Sequence, residues 1–399
     1  MGEREGAAGR GAWAEIDVAA VRHNARVLAG VAAPARLCAV VKADGYGHGA
    51  PAVARAALDG GATWLAVALV EEGAALRAAG IDAPVLVLSE PPPEAMDELV
   101  AASLTPTLYS LEGVRALEDA ARLAPAPVGV HVKVDTGMHR VGADVDDVLK
   151  VVSAVRDAPG LTFEALWTHL AVAESLEEAD RAYTAEQLRR FAEVRDALAA
   201  AGIPAPMAHA ANSAGAVAHP AARLDMVRCG IALYGEAPSP AVAEMLRAAG
   251  VGLRPVLAFK ARVSFVRRLR AGESPSYGRR RPLPADATVA TVPVGYADGV
   301  PRRWFDVGGT VLVGGRRCPL AGTVTMDQIV VDCGPDAPVA VGDEVVLIGR
   351  QGAESLAAGD WADALGTISY EVLCGIGPRV PRVVVDREAD GDRAGGAGA

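Results

Sequence analysis

Lysine is almost missing from this chain. Only four of its 39 basic residues are lysine, namely Lys42, Lys133, Lys150 and Lys260. Arginine serves wherever a plain positive charge suffices, so a retained lysine can mark chemistry that a guanidinium cannot perform. An amine can lose its proton, attack a carbonyl and form a Schiff base, whereas a guanidinium stays protonated. Lys150, inside a helical pattern, and Lys260 read as ordinary surface cations.

A basic excess is also lacking. The net charge of −10 over 399 residues argues against a nucleic-acid partner and fits an enzyme of small molecules. Aromatic residues make up only 4%, so alanine and valine fill the core of a chain that is 51% hydrophobic. The five cysteines, Cys38, Cys229, Cys318, Cys333 and Cys374, are odd in number and far apart, with no C-x-x-C. That excludes a disulfide framework or a zinc site and points to reduced thiols in the cytoplasm, with no metal expected. Residues 1–11 are charged and glycine-rich and lack the apolar stretch of a secretory signal. No apolar run is long enough for a membrane span.

What is present is an alternation. Strand patterns fall at residues 37–42, 64–69, 84–89, 104–109, 128–135, 161–169, 207–212 and 226–231. Between them lie stretches with apolar residues at helical spacing, such as 112–123, 145–157 and 185–201. Eight strands alternating with helices predict an α/β chain whose N-terminal part is a (β/α)8 TIM barrel. An open doubly wound sheet is the alternative, weakened by the lack of a G-x-G-x-x-G after the first strand. Ser239 and Pro240 read as the cap and first position of one more helix over 241–249. Residues 250–255 read as a linker. Beyond it, valine-rich runs at 257–266, 288–294, 310–313, 328–331 and 343–348 predict a C-terminal, mainly β domain. The expected domains are 12–250 and 251–385, with 386–399 a disordered tail.

Barrel enzymes carry their chemistry at the C-terminal ends of the strands. Lys42 ends the first strand pattern, Lys133 and Asp135 the fifth, with Arg140 following, and His169 ends the sixth. Asn212 and Ser213 follow the seventh, and Arg228 lies on the eighth with Gly230 just after it. Asn212 and Ser213 open a short helix, whose amides and dipole suit a phosphate; the plainer alternative is a helix cap by Ser213. A strand-end lysine opposite a phosphate site suggests pyridoxal 5'-phosphate. Arg228, always cationic, would discourage protonation of the pyridine nitrogen and favour removal and return of an α-proton over transamination. Its plainer alternative is a salt bridge in the barrel wall.

These residues sit in segments that resemble alanine racemases. The barrel segments are Ala39-Val40-Val41-Lys42-Ala43-Asp44-Gly45-Tyr46-Gly47-His48-Gly49, the run from His131 through Lys133 and Arg140 to Gly142, His209-Ala210-Ala211-Asn212-Ser213, and the run from Val227 through Arg228 to Gly235. The later ones are Val292-Pro293-Val294-Gly295-Tyr296-Ala297-Asp298-Gly299, Met326-Asp327-Gln328, and Gly366-Thr367-Ile368-Ser369-Tyr370-Glu371. They follow one another in the family's order over residues 12–385.

The resemblance implies a racemase that interconverts L- and D-alanine with two bases and supplies D-alanine for peptidoglycan. Lys42 would hold the cofactor and exchange the proton on the D-alanine side. Tyr296, reaching in from the partner subunit of a homodimer, would exchange it on the L-alanine side. Tyr46, Ser213, Gly230, Ile231 and Tyr370 would bind the phosphate, and Asn212 belongs to the same segment. His169 would pack on the ring and Arg228 would face its nitrogen. Arg140 would contact the cofactor's phenolic oxygen and the substrate carboxylate, which the Met326 amide would help to hold. Lys133 stands where members often carry a carbamylated lysine.

Lysine and tyrosine both titrate near 10, so each base needs its pKa lowered. For Tyr296 this takes a cationic neighbour or a hydrogen-bond donor, and His169 is the candidate. The chain departs from the family at Thr323 and Thr325, where many members carry arginine and cysteine, and at Asp44-Gly45, where Asn-Ala is more frequent. Those positions leave open a racemase of serine or of several amino acids. Two other readings remain: a barrel-type decarboxylase of basic amino acids, and a cofactor-binding protein without activity.

Overall fold

The structure is a computed structural model that describes residues 10–122 and 124–388. Residues 389–399, most of the expected tail, lie outside the described residues. The chain divides into two compact units. One comprises Ala20–Gly45 and Ala50–Arg254; the other comprises Met1–Ala19, Tyr46–Gly49 and Pro255–Ala399.

The first strand, β1 (Ala12–Asp17), belongs to the second unit, although its position suggested the barrel. The barrel begins with β2 (Arg36–Val40) and continues through β3 (Trp64–Val67), β4 (Val85–Val87), β5 (Thr107–Leu108), β6 (Val128–Lys133), β7 (Leu161–Trp167), β8 (Ala208–His209) and β9 (Met226–Cys229). All pair in parallel, β4-β3-β2-β9 in one run and β5-β6-β7-β8 in the other. A parallel bridge between Leu86 and Thr105 joins the runs at one seam. At the other, the Asp225 amide donates to Ala208 O at 3.0 Å and the Arg228 amide to Ala211 O at 2.9 Å. The eight-stranded sheet therefore closes on itself.

The strands are short, apolar and buried, as parallel strands covered by helices must be. Val130 and Val132 of β6 are fully buried on one face, while His131 and Lys133 share the other. The covering helices are amphipathic and capped by their own sequence. Ser110 accepts the Gly113 amide at 2.9 Å to start Leu111–Ala121. Ser239 accepts the Val242 amide at the start of Pro240–Ala248, with Pro240 in the first turn.

Among the described residues, the second unit contains two sheets. The larger joins β1, β10 (Leu257–Arg262), β13 (Thr310–Val313), β14 (Arg316–Pro319), β16 (Glu344–Gln351), β17 (Glu354–Leu356) and β18 (Arg382–Val385) in the order β14-β13-β16-β10-β1-β18, with β17 on β16. The smaller is β11 (Phe265–Leu269), β12 (Ala287–Val292) and β15 (Ile329–Asp332), in that order. The predicted single run 257–266 is thus two strands in different sheets. No helix among the described residues is long and apolar enough to cross a membrane.

Candidate active site

The retained lysine stands on an unusual piece of backbone. Lys42 begins the short helix Lys42–Gly47 just after β2. Ala43, Asp44, Gly45, Tyr46 and Gly47 then all have positive φ, between 50° and 78°. A run of left-handed residues costs about 1–2 kcal/mol at each non-glycine position, and such strain persists where the surroundings enforce it. Here Glu72 accepts the Ala43 amide at 2.6 Å, and Asp44 accepts the Ala50 amide at 2.8 Å. Asp44 and Gly45, the family departures, are residue types that tolerate this conformation.

Inside the barrel a polar cluster surrounds Trp167. The Lys133 amine and the Arg228 guanidinium each lie 4.5 Å from its ring centroid, and His209 stacks on it at 5.5 Å. Arg228 is 3% exposed. Its Nη1 donates to His209 Nδ1 at 2.7 Å, and its Nη2 to Thr168 O at 2.9 Å, Ala210 O at 3.1 Å and His169 Nδ1 at 3.3 Å. These bonds do not use Nε–H or the second Nη1 proton. The alternative of a wall salt bridge does not apply, because every partner is neutral. Burial lowers the Arg228 pKa to about 10, which leaves it a cation at neutral pH.

That fixed cation governs its neighbours. Burial, then Arg228 and Arg140, lower Lys133 to about 7, against a weaker opposing pull from Asp135. His169 is driven well below the usual histidine range by burial and then by Arg228, Lys133, Arg140 and Lys42. His169 is therefore a neutral imidazole. It cannot serve Tyr296 as a cation, and with Nδ1 accepting from Arg228 its Nε2–H remains as a donor. Cys38 and Cys229 are pushed up to about 12, chiefly by burial, and stay thiols.

The helix after β8 is capped differently from the prediction. The side chain of Asn212, not Ser213, caps the helix Ser213–Ala218 by accepting the Gly215 amide at 2.9 Å. The Asn212 Oδ1 thus serves the helix backbone. The Ser213 hydroxyl accepts the Gly230 amide at 2.9 Å and the Ala232 amide at 3.4 Å. With its lone pairs used in this way, its own proton is left to donate. Ile231 opens a 3-10 turn, Ile231–Tyr234, and the first amides of such a turn have no partner within it.

The second unit holds the other candidates. Tyr46, buried, packs its ring 6.0 Å from that of Tyr370. Its loop is tied down by Arg382, which donates to Gly47 O at 2.8 Å. Tyr296 is 43% exposed and Met326 52%. The Tyr296 amide donates to Thr325 O at 3.0 Å and the Ala297 amide to Met326 O at 3.1 Å. A Cβ at Gly295 would lie 2.2 Å from Thr325 O, so only glycine lets the two loops meet. Asp298, 2% exposed, receives the Gly295 amide at 2.8 Å and Arg10 at 2.6 Å, and Arg379 lies 3.4 Å away. Thr325 Oγ1 bonds the Gln328 amide and carbonyl at 3.1 and 2.9 Å, and Thr323 Oγ1 donates to Tyr277 O at 3.0 Å. The two threonine departures thus shape these loops. Of the remaining lysines, Lys150 pairs with Asp147, and Lys260 with Glu15 and Glu344. No group of three or more His, Cys, Asp or Glu among the described residues is placed to hold a metal ion.

Residues 16–238 match the family description "Alanine racemase, N-terminal domain", and residues 256–384 match "Alanine racemase, C-terminal domain". The alanine racemase of Symbiobacterium thermophilum is 47% identical over 373 residues, covering 94% of this chain and 97% of that relative. The solved alanine racemase of Streptomyces coelicolor is 40% identical, with a TM-score of 0.86 over 94% of this chain and 98% of that one. That of Bacillus anthracis, with bound L-Ala-P, is 34% identical, with a TM-score of 0.86 over 94% and 95%. Matches of this extent cover both halves of the sequence, and the chain belongs to the alanine racemase family.

Proposed function

We propose that this chain is a pyridoxal-phosphate-dependent isomerase that interconverts L- and D-alanine in the cytoplasm and supplies D-alanine for peptidoglycan. The observation that carries the reading is the neutral setting of Arg228. An arginine with four neutral acceptors, and donors still unspent, suits an unprotonated pyridine nitrogen. The other donors fit the same group. Lys42 offers an amine on a strained turn, the Ser213 hydroxyl and the Ile231 amide offer donors to a phosphate, and Gly230 orients that hydroxyl by donating to it. Tyr46 and Tyr370 of the second unit would add their hydroxyls, as the resemblance implies. Bound pyridoxal phosphate supplies an electron sink that acidifies the α-proton of an amino acid.

Racemisation takes a proton from one face and returns it to the other, so two groups must flank the α-carbon. Lys42 serves the D-alanine face. The partner subunit's Tyr296 serves the L-alanine face, which makes a homodimer the working form. Arg140, exposed at the end of its loop, and the Met326 amide hold the substrate carboxylate. Lys133, lowered to about 7 by burial and its cationic neighbours, is partly uncharged at neutral pH. Its amine can then bond to carbon dioxide with loss of a proton, and the resulting carbamate would pair with Arg140 by charge-assisted hydrogen bonds. A decarboxylase of basic amino acids resembles the same barrel but uses an acidic residue at the ring nitrogen and a cysteine at the second face, where this chain offers Arg228 and Tyr296.

The test is incubation of the cofactor-loaded protein with L-alanine in heavy water. The expected product is D-alanine carrying α-deuterium, approaching an equal mixture, with Lys42→Ala lowering the rate by at least about 10⁴-fold. Alanine left untouched by protein that holds cofactor would overturn the proposal.

A further inference from the structure

A buried chain of groups runs from Arg228 back through the barrel. His209 Nδ1 accepts from Arg228 at 2.7 Å, His209 Nε2 lies 3.1 Å from His131 Nδ1, and His131 Nε2 lies 3.6 Å from Glu164 Oε2. Both imidazoles are fully buried. Glu164 lines an open cavity of about 520 Å³ with Trp64, Arg77 and Asp82. Trp64 opens β3, so this cavity lies at the N-terminal ends of the strands, away from the Lys42 rim.

Glu164 faces His131 because of a local irregularity. Val130 of β6 pairs with Phe163 of β7, but the next residue, His131, pairs with Ala165. Glu164 is the extra residue of a β-bulge, a device that re-aims one side chain. The neighbouring strand makes room for it. Gly129 shares the inward face of β6 with His131, and a Cβ there would stand 2.4 Å from Glu164 Oε2. Bulge and glycine together form a seat for one carboxylate.

The two ends of the chain dictate its direction. Arg228 can only donate and an ionised carboxylate can only accept. Neutral imidazoles between them must both carry the proton on Nε2. Arg228 then donates to His209 and His209 to His131, while the His131 Nε2–H faces Glu164 Oε2 at 3.6 Å, an electrostatic contact longer than a hydrogen bond. Any other tautomer sets two donors or two bare nitrogens against each other in a buried site, at a cost comparable to a lost hydrogen bond.

We propose that Glu164 is a positioning residue, which through His131 and His209 holds a hydrogen-bond acceptor against the Arg228 guanidinium and so fixes its aim. The proposal rests on the reading of Arg228 as the partner of the pyridine nitrogen. Without the carboxylate, His131 can place its proton on Nδ1. His209 must then turn or switch tautomer, and Arg228 meets a donor where it had an acceptor.

The test is two-bond ¹H–¹⁵N spectroscopy of the histidine-labelled full chain, with cofactor and after its removal, alongside kinetics. In the wild type both His131 and His209 should be Nε2–H tautomers. In Glu164→Ala, His131 should populate the Nδ1–H form, and kcat should fall about tenfold with KM changed less than about twofold. Gly129→Ala, which displaces the carboxylate, should reproduce the tautomer change. Glu164→Gln, which keeps an acceptor oxygen, should restore the wild-type tautomers. Nδ1–H on His131 of the wild type, identical tautomers in Glu164→Ala, or a tautomer change with unaltered kcat would each overturn the proposal. The tautomers are read on the protein without cofactor, so failure of the relay is distinguishable from failure of the cofactor reading.

Discussion

Arg228 in the barrel unit is 3% exposed, whereas Tyr296 in the second unit is 43% exposed and Met326 52%. The guanidinium is held by four acceptors; among the described residues, the Tyr296 and Met326 loops are held to each other through backbone hydrogen bonds. The barrel therefore sets its electrostatics before any ligand arrives, since preorganised donors need no rearrangement at the moment of reaction. The second unit fixes the path of two loops and leaves their side chains in solvent. Side chains of that kind gain a defined environment only when another surface covers them, which is what a homodimer would supply.

The sharpest way to separate the two regions is to remove one group from each. Tyr296→Phe should lower kcat by about 10²–10⁴-fold while the protein binds cofactor and melts as before. Arg228→Gln should lower kcat by about 100-fold, and because the fixed cation is gone, transamination of alanine to pyruvate should become detectable. An Arg228→Gln protein as clean and as fast as the wild type would remove the preorganised half of the comparison.

The buried cations also leave a mark on stability. Lys133 titrates at about 7 in the folded chain and at its ordinary value of 10.5 when unfolded. Between those values the unfolded state binds a proton that the native state does not, so stability rises with pH across that window. Below about 7 the cost of the buried ammonium is fully present. In buffer free of carbon dioxide, the unfolding free energy of the wild type, less that of Lys133→Met, should climb from pH 7 to 10 by at most about 1.4 kcal/mol per pH unit. A flat difference would mean that Lys133 is charged in the fold.

The smallest effect belongs to the second unit. Asp298→Asn weakens the clamp from Arg10 and Arg379 on the Tyr296 loop at a cost of about 2 kcal/mol. Thermal denaturation should show a loss of about 4 °C, and the KM for alanine should rise about threefold as the Met326 loop loosens. An unchanged KM would mean that the clamp serves stability alone.

The barrel was legible because its parallel strands are short apolar runs between amphipathic helices. The strand patterns overran the ladders at the functional ends. The strand patterns run over residues 37–42 and 161–169, whereas the strands end at Val40 and Trp167, with one further backbone bond each from Val41 and Thr168. Beyond those points the side chains are still of strand type, but the backbone leaves the sheet to present Lys42 and His169. Strand β1 has no local signature of its sheet, because its partners, β10 and β18, lie more than two hundred residues away.

The first layer of the candidate site was legible from motifs. The second, comprising His131, Trp167, Thr168, His209 and Glu164, was not. Its contacts depend on the register between neighbouring strands and on one bulge. Part of it could have been found by parity, since His131 stands two residues before Lys133 and must share its face.

The most direct test of the two-sided account is solvent exchange of the α-proton in the Tyr296→Phe enzyme, followed separately from each enantiomer in heavy water. The account predicts that D-alanine still exchanges its α-proton through Lys42, while exchange from L-alanine and racemisation fall together. Equal loss of exchange from both enantiomers, or undiminished exchange from L-alanine, would contradict it.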